Sequence, residues 1–350
     1  MDVEENRKGF DGKIWQVHKF GGTSVADAAC FLKVASIIEE QIGIYNPENE
    51  NDDKKIVPPV SEPSCNLAVV LSAMGGKPKV TDLLLQSVTA AANRDESEVD
   101  GCLQFIKEKH NKCLQSLFFG QESTQYNITP NSMDPVETVD KLKAIIENDL
   151  NDIRDILKTV ALMKWQAKRI SELVSGYGET WSSQILSALL TKRELERRAR
   201  CGLDNDNKHH FRYIDARRVI TIDEDAIKDG AVCWDICKEK LKTVYEEESI
   251  ATFGPDFTLK TDGTMHFVIT GYVASNTQNV ATTLQRDGSD YSAAIMGRLL
   301  ESNLIAIWTD VDGVLSADPR RVPHSYVLPE VSFNEAMELG KLYYIFDDTR

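Results

Sequence analysis

The chain has 350 residues, of which 42% are hydrophobic and 27% charged, so it has enough apolar material for a sizeable core and is not wholly disordered. Its 40 Lys and Arg residues against 55 Asp and Glu residues give a formal net charge of −15, which argues against nucleic acid or an anionic membrane as a partner. No apolar run reaches the roughly 18 residues needed to cross a bilayer.

In chain order, four short apolar runs predict strands of a mostly parallel sheet: residues 14–20, 67–71, 266–270 and 304–308. Apolar residues at helical spacing predict helices between these strands, and Ser24 with Asp27 three residues later forms a capping-box pattern at the first helix. Further helices are expected from near Thr81, over residues 140–175 and around residues 185–190. Two polar stretches predict loops, namely an acidic, proline-containing insert at residues 45–64 and a segment at residues 204–210.

The strongest local signal is Lys19-Phe20-Gly21-Gly22-Thr23-Ser24. The first strand delivers a lysine to its carboxyl end, two glycines let the backbone approach a ligand, and Thr23 and Ser24 open a helix. Free backbone N–H groups and a positive helix end then point at an anion. The lysine precedes the glycines, so this is not a Walker A loop. An ordinary glycine turn before a helix is the alternative.

Two later segments extend this pattern. Ser72-Ala73-Met74-Gly75-Gly76 follows the second strand, and two strand ends of one parallel sheet can hold a polyphosphate between them. Gly176-Tyr177-Gly178-Glu179 lacks the third glycine and the preceding strand of a dinucleotide fingerprint, which rejects that interpretation. Glu179 is either a first-turn carboxylate favoured by the helix dipole or an acceptor for a substrate ammonium group.

Two more segments offer charged side chains beside glycine turns. In Arg286-Asp287-Gly288-Ser289-Asp290, the arginine can bind a carboxylate through two hydrogen bonds, and Asp290 is either a charge organiser or a plain helix-start acid. Thr309-Asp310-Val311-Asp312-Gly313 follows the last predicted strand. That segment lacks the glutamate of a calcium loop, so a nucleotide site or a polar turn fits it better.

Together these five segments resemble aspartate kinase of the amino-acid kinase family, over about residues 17–339. Residues 178–182 and 283–308 are most similar to the kinase half of plant-type bifunctional aspartokinase–homoserine dehydrogenases. The resemblance implies an α/β fold of the carbamate kinase-like type, a three-layer α/β/α sandwich around a mostly parallel sheet. It further implies an N-terminal tail at residues 1–13, one kinase domain at residues 14–339 with a helical region at 82–175, and a divergent tail at 340–350.

The resemblance also implies roles for the motif residues. Lys19 would bridge the transferring phosphoryl group, and Asp290 would orient Lys19. L-Aspartate would be held by Thr81, Glu179, Arg286, Gly288 and Ser289, with Glu179 on its ammonium group and Arg286 on its α-carboxylate. ATP would contact Gly21, Gly22, Thr23, Ser24, Ser72, Thr309, Asp310, Gly313, Ser316, Asp318 and Arg320. Mg²⁺ would be carried by ATP, with no protein metal site.

The implied reaction transfers the γ-phosphoryl group of ATP to the side-chain carboxylate of L-aspartate, giving 4-phospho-L-aspartate, the first step towards lysine, threonine, methionine and isoleucine. A carboxylate with an ordinary pKa of about 3.9 is already ionised at neutral pH, so the reaction needs positioning and charge neutralisation and no general base. Two alternatives stay open. One is a truncated isoform of weak or no activity that binds nucleotide or a full-length partner, and the other is a kinase of the same fold with another acceptor, such as glutamate or a nucleoside monophosphate.

The sequence departs from the family pattern at two places. Leu315 stands where the family usually carries a tyrosine, and residues 340–350 diverge from the family's continuation. We therefore expect no ligand-sensing ACT domain, no dehydrogenase domain and no feedback inhibition by threonine or lysine. The acidic start differs from a transit peptide, whereas a plant-type relative would be targeted to the plastid. We therefore expect either the cytoplasm or, with a processed start, the plastid stroma. Dispersed cysteines without a Cys-x-x-Cys pair predict reduced thiols, and a homo-oligomer is a further expectation.

Overall fold

A parallel sheet is the centre of the fold in the computed structural model, which describes residues 8–43, 65–120, 134–164, 168–201, 208–223, 231–255, 264–285, 288–318, 321–332 and 334–339. Its strands are β1 (Trp15–Phe20), β2 (Asn66–Leu71), β3 (His209–Ile214), β6 (Thr264–Thr270) and β9 (Leu304–Trp308). They lie in the order β3-β6-β2-β1-β9, and every neighbouring pair is parallel. The four predicted strands are all present in this sheet.

The strands of a second, smaller sheet lie between strands of the central sheet in the chain. It consists of β4 (Thr221–Asp223), β5 (Ala231–Val232), β7 (Val273–Asn276) and β8 (Ala281–Thr283), in the order β5-β4-β7-β8. Strand β7 begins three residues after β6 ends, so this sheet adjoins the carboxyl ends of the central strands.

The helices pack on both faces of the central sheet. They are α1 (Ala28–Gln41), α2 (Val80–Ala92), α3 (Glu96–Phe119), α4 (Pro135–Met163), α5 (Lys168–Ser175), α6 (Tyr177–Cys201), α7 (Trp234–Phe253) and α8 (Gly288–Leu299). Successive side chains of a strand point to opposite faces. In β2, accordingly, Leu67, Val69 and Leu71 pack with helices α1–α6, whereas Ala68 and Val70 pack with α7 and α8. The predicted three-layer α/β/α arrangement is confirmed.

The sequence-based boundaries need three corrections. The capping box at Ser24 is wrong, because Gly22–Val25 form a 3₁₀ turn and α1 is capped instead by the Asp27 carboxylate, which accepts the N–H of Cys30 at 2.9 Å. The single helix predicted over 140–175 is wrong, because Lys164 takes a left-handed conformation (φ 52°) at the end of α4. The insert predicted at 45–64 lies outside the described residues.

The third correction concerns His209 and His210, which begin β3 and are not part of a loop. The buried His266 side chain explains why a histidine suits this position. Its Nδ1 accepts the backbone N–H of Leu67 at 3.0 Å, and its Nε2 lies 2.9 Å from Nδ1 of His209. A polar pair is therefore satisfied inside the sheet, which the local sequence does not reveal.

The chain divides into two compact units, Met1–Trp308 and Thr309–Arg350. In the second unit, Leu315 and Val327 form an antiparallel bridge, and residues 334–339 are helical. Across the described ranges of both units, no helix is long and apolar enough to span a bilayer. The domain boundaries expected from the resemblance stay a prediction.

The histidine pair predicts acid sensitivity of the fold. Burial lowers the pKa of His209 to about 4 and that of His266 well below its ordinary value. In the unfolded chain these two histidines take up protons from about pH 6.5 downwards, whereas in the folded chain they do not. The stability that the unprotonated pair contributes is therefore present above pH 6.5 and is lost as the pH falls towards 4. We expect urea unfolding at pH 7 and pH 5 to differ less in His209→Gln than in the wild type, by on the order of 1–2 kcal/mol.

His324→Gln is the matched control, because His324 is exposed in the second unit. An unchanged pH dependence in His209→Gln, or an equal change in the control, would contradict the assignment.

Candidate active site

The carboxyl ends of β1, β2 and β6 lie side by side. Phe20 is opposite Leu71, and Leu71 is opposite Thr270, so the chain leaves all three strands at one edge of the sheet. Ligands of open α/β sheets bind at this edge. The residues that come next, Gly21, Ser72 and Gly271, start the loops from which the site is built.

The first two of these loops contact each other through backbone alone. The N–H of Gly75 donates to the carbonyl of Gly22 at 2.9 Å. A Cβ on Gly22 would lie 2.9 Å from the carbonyl oxygen of Ala73, and a Cβ on Gly75 would overlap the Gly22 carbonyl. Both positions therefore require glycine for close approach. The two predicted anion-binding turns are thus adjacent.

Lys19 carries a positive charge at this edge. Its side chain is 10% exposed, and its Nζ forms an ion pair with Oδ1 of Asp290 at 2.7 Å. Asp290 lies in the first turn of α8, which carries the carboxylate across from the other layer of helices. A Cβ on Gly21 would be only 3.6 Å from the Lys19 amine, so the ammonium group lies beside the first glycine turn.

Ser72 joins the second turn to the start of α8. Its hydroxyl donates to the hydroxyl of Ser289 at 2.9 Å, and its carbonyl accepts the hydroxyl of Ser182 at 2.8 Å. Gly271 permits this contact, because a Cβ there would be 2.6 Å from Cβ of Ser289. The N–H of Gly271 donates to the carbonyl of Leu71 at 2.7 Å, which fixes the loop after β6 against the end of β2.

Glu179 is a buried carboxyl group, 4% exposed, in the first turn of α6. Burial raises its pKa to about 8, and hydrogen bonds from backbone N–H groups, including that of Ala73, only partly offset this. Among the described residues, Oε2 of Glu179 has no hydrogen-bond partner. The close packing of Gly178 on Ala73, where a Cβ would meet the Ala73 methyl at 2.7 Å, brings Glu179 to the second turn.

The remaining predicted residues fall into three groups. In the unit that ends at Trp308, Thr23 and Ser24 lie in the 3₁₀ turn, and Thr81 lies in the first turn of α2. Gly288 is the first residue of α8, and a Cβ on it would clash with the Tyr272 ring. Arg286 and Arg320 lie outside the described residues. Their predicted roles stay predictions.

The nucleotide-side residues of the second unit form a local turn structure. The Thr309 hydroxyl donates to Oδ1 of Asp310 at 3.2 Å, and Gly313 has φ 144°. The N–H of Ser316 donates to the carbonyl of Tyr326 at 2.9 Å, and the carbonyl of Asp318 accepts two backbone N–H groups. These contacts order the segment that the sequence assigned to nucleotide binding.

Two residues that contact the second glycine turn were not predicted. Ser182 binds the carbonyl of Ser72, and Lys109 of α3 donates to the carbonyls of Gly75 and Pro78, the latter at 3.2 Å. Each is a single polar residue inside a helix without characteristic spacing. The only local signal for Ser182 is its position three residues after Glu179 on the same helix face.

Chemically, the edge combines the ammonium group of Lys19, backbone donors from two turns, the hydroxyl groups of Ser72 and Ser289, and a buried acid without a cationic partner among the described residues. Such a set can bind an anion beside Lys19 and a cationic group at Glu179. Within the described ranges, no group of three or more His, Cys, Asp or Glu side chains could hold a metal ion.

Comparison with known proteins shows the family to which the chain belongs. The model of the amino acid kinase family matches residues 15–345. The bifunctional aspartokinase/homoserine dehydrogenase 2, chloroplastic, of Arabidopsis thaliana is 30% identical over 329 residues, which are 94% of this chain and 28% of that protein. Aspartokinase 2, chloroplastic, of the same plant is 28% identical over 93% of this chain and 47% of its own length. The chain thus spans less than half the length of these relatives.

Among solved structures, aspartokinase III of E. coli in complex with aspartate and ADP is similar, with a TM-score of 0.63 and 23% identity over 93% of this chain and 56% of that one. Aspartate kinase of Clostridium acetobutylicum is similar with a TM-score of 0.54 and 23% identity, over 94% of this chain and 55% of that one. Both likenesses concern the fold, and they confirm the predicted fold class.

The contact between the glycine turns gives a test by substitution. Gly75→Ala forces a methyl group onto the Gly22 carbonyl, so we expect the free energy of unfolding to fall by about 1–3 kcal/mol, as for other overpacked sites. Gly101→Ala is the control, because Gly101 is exposed in α3 with nothing within 4 Å of an added Cβ. It should gain about 0.5–1 kcal/mol from helix propensity. Equal stabilities of the two variants in urea unfolding would refute the contact.

Proposed function

The chain belongs to the amino acid kinase family, and from this we propose that it transfers the γ-phosphoryl group of ATP to the side-chain carboxylate of L-aspartate. The observation that carries the proposal is the Lys19–Asp290 ion pair at the edge where the two glycine turns meet, with Glu179 buried against the second turn. The aspartokinases among the relatives, and the aspartate and ADP bound to E. coli aspartokinase III, support the same acceptor and nucleotide.

Lys19 supplies the charge that the reaction needs. Aspartate and ATP are both anions, and the protein itself has a formal net charge of −15, so their approach is opposed unless a local cation acts on them. The ion pair with Asp290 would hold the ammonium group at this edge of the sheet before a substrate binds. Little reorganisation is then needed as charge develops in the transition state. Gly21, Gly22, Thr23, Ser24 and Ser72 would add neutral donors along the phosphates.

Glu179 gives selectivity for an α-amino acid. A buried carboxyl group whose Oε2 has no partner among the described residues is poised to receive a cationic donor. The ammonium group of aspartate provides one, and its binding would return Glu179 to the ionised form. Thr81, Gly288, Ser289 and Arg286 would hold the rest of the substrate. This preference for an α-amino group disfavours a nucleoside monophosphate as acceptor.

Mg²⁺ enters this proposal with the nucleotide. The phosphate oxygens of ATP would hold the ion. When bound, Mg²⁺ neutralises phosphate charge. Thr309, Asp310, Gly313, Ser316, Asp318 and Arg320 would contact the remainder of the nucleotide. For the compartment we propose the cytoplasm or the plastid stroma, the latter supported by the chloroplastic plant relatives.

A hydroxamate assay separates this function from its alternatives. Purified chain, Mg-ATP, aspartate and hydroxylamine should yield aspartyl hydroxamate, because hydroxylamine traps an acyl phosphate. Nucleotide binding without hydroxamate would instead support the inactive binding isoform. Hydroxamate formed faster from glutamate than from aspartate would identify the other acceptor.

Replacing Lys19 tests the charge directly. Lys19→Ala removes a preorganised cation beside the reacting oxygens, so turnover should fall by at least about two orders of magnitude. The control is Lys33→Ala, on the exposed face of α1, which should retain wild-type turnover. Near-normal hydroxamate formation by Lys19→Ala would discard the assignment.

Glu179 predicts a proton linked to substrate binding. Since its pKa is raised to about 8, the free protein holds the carboxyl group protonated at pH 7. Binding of the aspartate ammonium group should release close to one proton, which calorimetry in buffers of different ionisation enthalpy would count. Glu179→Gln should release none and should raise the KM for aspartate by about tenfold or more, as a lost charged hydrogen bond implies. Equal proton release in both proteins would remove Glu179 from this role.

A further inference from the structure

Lys109 reaches the second glycine turn from outside every motif. It lies on α3, and its Nζ donates to the carbonyls of Gly75 and Pro78, so one ammonium group spans the loop that follows Met74. The N–H of Val80 donates to the carbonyl of Met74 at 3.1 Å and closes the same loop at its base. The segment between Met74 and Val80 is therefore fixed at its base by backbone and near its tip by a lysine.

The backbone of Gly75 is held on both sides of its Cα atom. Its carbonyl accepts from Lys109, while its N–H donates to the carbonyl of Gly22 at 2.9 Å. A Cβ on Gly22 or on Gly75 would clash with the opposite turn, so only the backbone can make the contact between these two residues. Lys109 thus contacts the residue through which the second turn is bonded to the first.

The surroundings of Lys109 keep its amine at this place. Gly76 has φ 94°, and a Cβ there would lie 3.2 Å from the lysine Nζ, so the chain bends around the ammonium group. Asp27, which caps α1 directly after the first turn, attracts the same charge. The Lys109 amine is therefore half-buried and bonded to two carbonyls, with a carboxylate near enough to attract its charge.

We propose that Lys109 is a positioning residue for phosphoryl transfer, acting through the Gly75 carbonyl to hold the Ser72–Gly76 turn against the Lys19–Ser24 turn. The proposal rests on the proposed function and adds to it a residue from the helical layer. Displacement of a reacting group by about 1 Å can cost a factor of about 100 in rate, so a loosened turn should affect turnover strongly.

The test compares three variants of Lys109 in the whole chain. Lys109→Met keeps the length and loses the donors, Lys109→Gln keeps a neutral donor, and Lys109→Arg keeps the charge. We expect kcat for aspartyl hydroxamate formation to fall about tenfold to 100-fold in Lys109→Met, and the Kd for Mg-ADP to rise by about tenfold. Lys109→Arg should recover most of both losses and Lys109→Gln less. That graded rescue would not follow from a general effect on folding.

Lys107→Met is the matched control, because Lys107 lies one half-turn away on the same helix and pairs with Glu147 at 2.5 Å. Wild-type kcat and Kd in Lys109→Met, or an equal loss in Lys107→Met, would overturn the proposal. If Lys109→Met does not fold, the order of Lys109→Arg above Lys109→Gln decides in the same way. Mg-ADP binding does not depend on the acceptor. A wild-type chain that binds Mg-ADP without making hydroxamate would therefore refute the assignment of aspartate as the acceptor, and it would not refute the role of Lys109.

Discussion

The site depends on how closely the backbones after β1 and β2 approach each other at Gly22 and Gly75. A hydrogen bond of 2.9 Å between these residues leaves no room for a Cβ on either, so the approach is possible only between glycines. The turn that contains Gly75 also carries Ser72, which bonds to Ser289, and Ala73, which donates to Glu179. One backbone contact therefore brings together segments that are more than 200 residues apart in the chain.

Charge explains why Lys19 is paired with a carboxylate at this edge. The overall field of a chain with a net charge of −15 opposes anionic ligands, so a cation must be held at one place to attract such a ligand there. Asp290 holds the ammonium group of Lys19 in place, although its negative charge weakens the positive field of that group. It does so from the start of α8, where the helix dipole favours a carboxylate. Glu179 avoids the cost of a buried charge because its raised pKa, about 8, keeps the carboxyl group protonated at neutral pH.

The sequence predicted the features that depend on local pattern, and it missed those that depend on distant partners. Apolar runs located four central strands because both faces of a parallel sheet are covered by helices. Strand β3 begins with His209 and His210, whose polarity indicates a loop until the contact of His209 with His266 is known. Ser24 and Asp27 are both suitable caps, and only the packing of the glycine turns decides between them. Lys109 acts on Gly75 across 34 residues, a distance at which no motif connects them.

The helical layer that carries Lys109 also secures the other half of the site. The next residue, His110, packs its ring edge-on against Trp181 with centroids 5.1 Å apart, and Trp181 lies two residues after Glu179 on α6. The indole N–H of Trp181 in turn donates to Asp149 of α4 at 2.7 Å. Adjacent residues of α3 thus contact the second glycine turn and the helix that carries Glu179. Because rigid helices hold a site more precisely than loops can, it matters that the Ser72–Gly76 turn and the helix of Glu179 are both contacted by one helix that none of the sequence motifs includes.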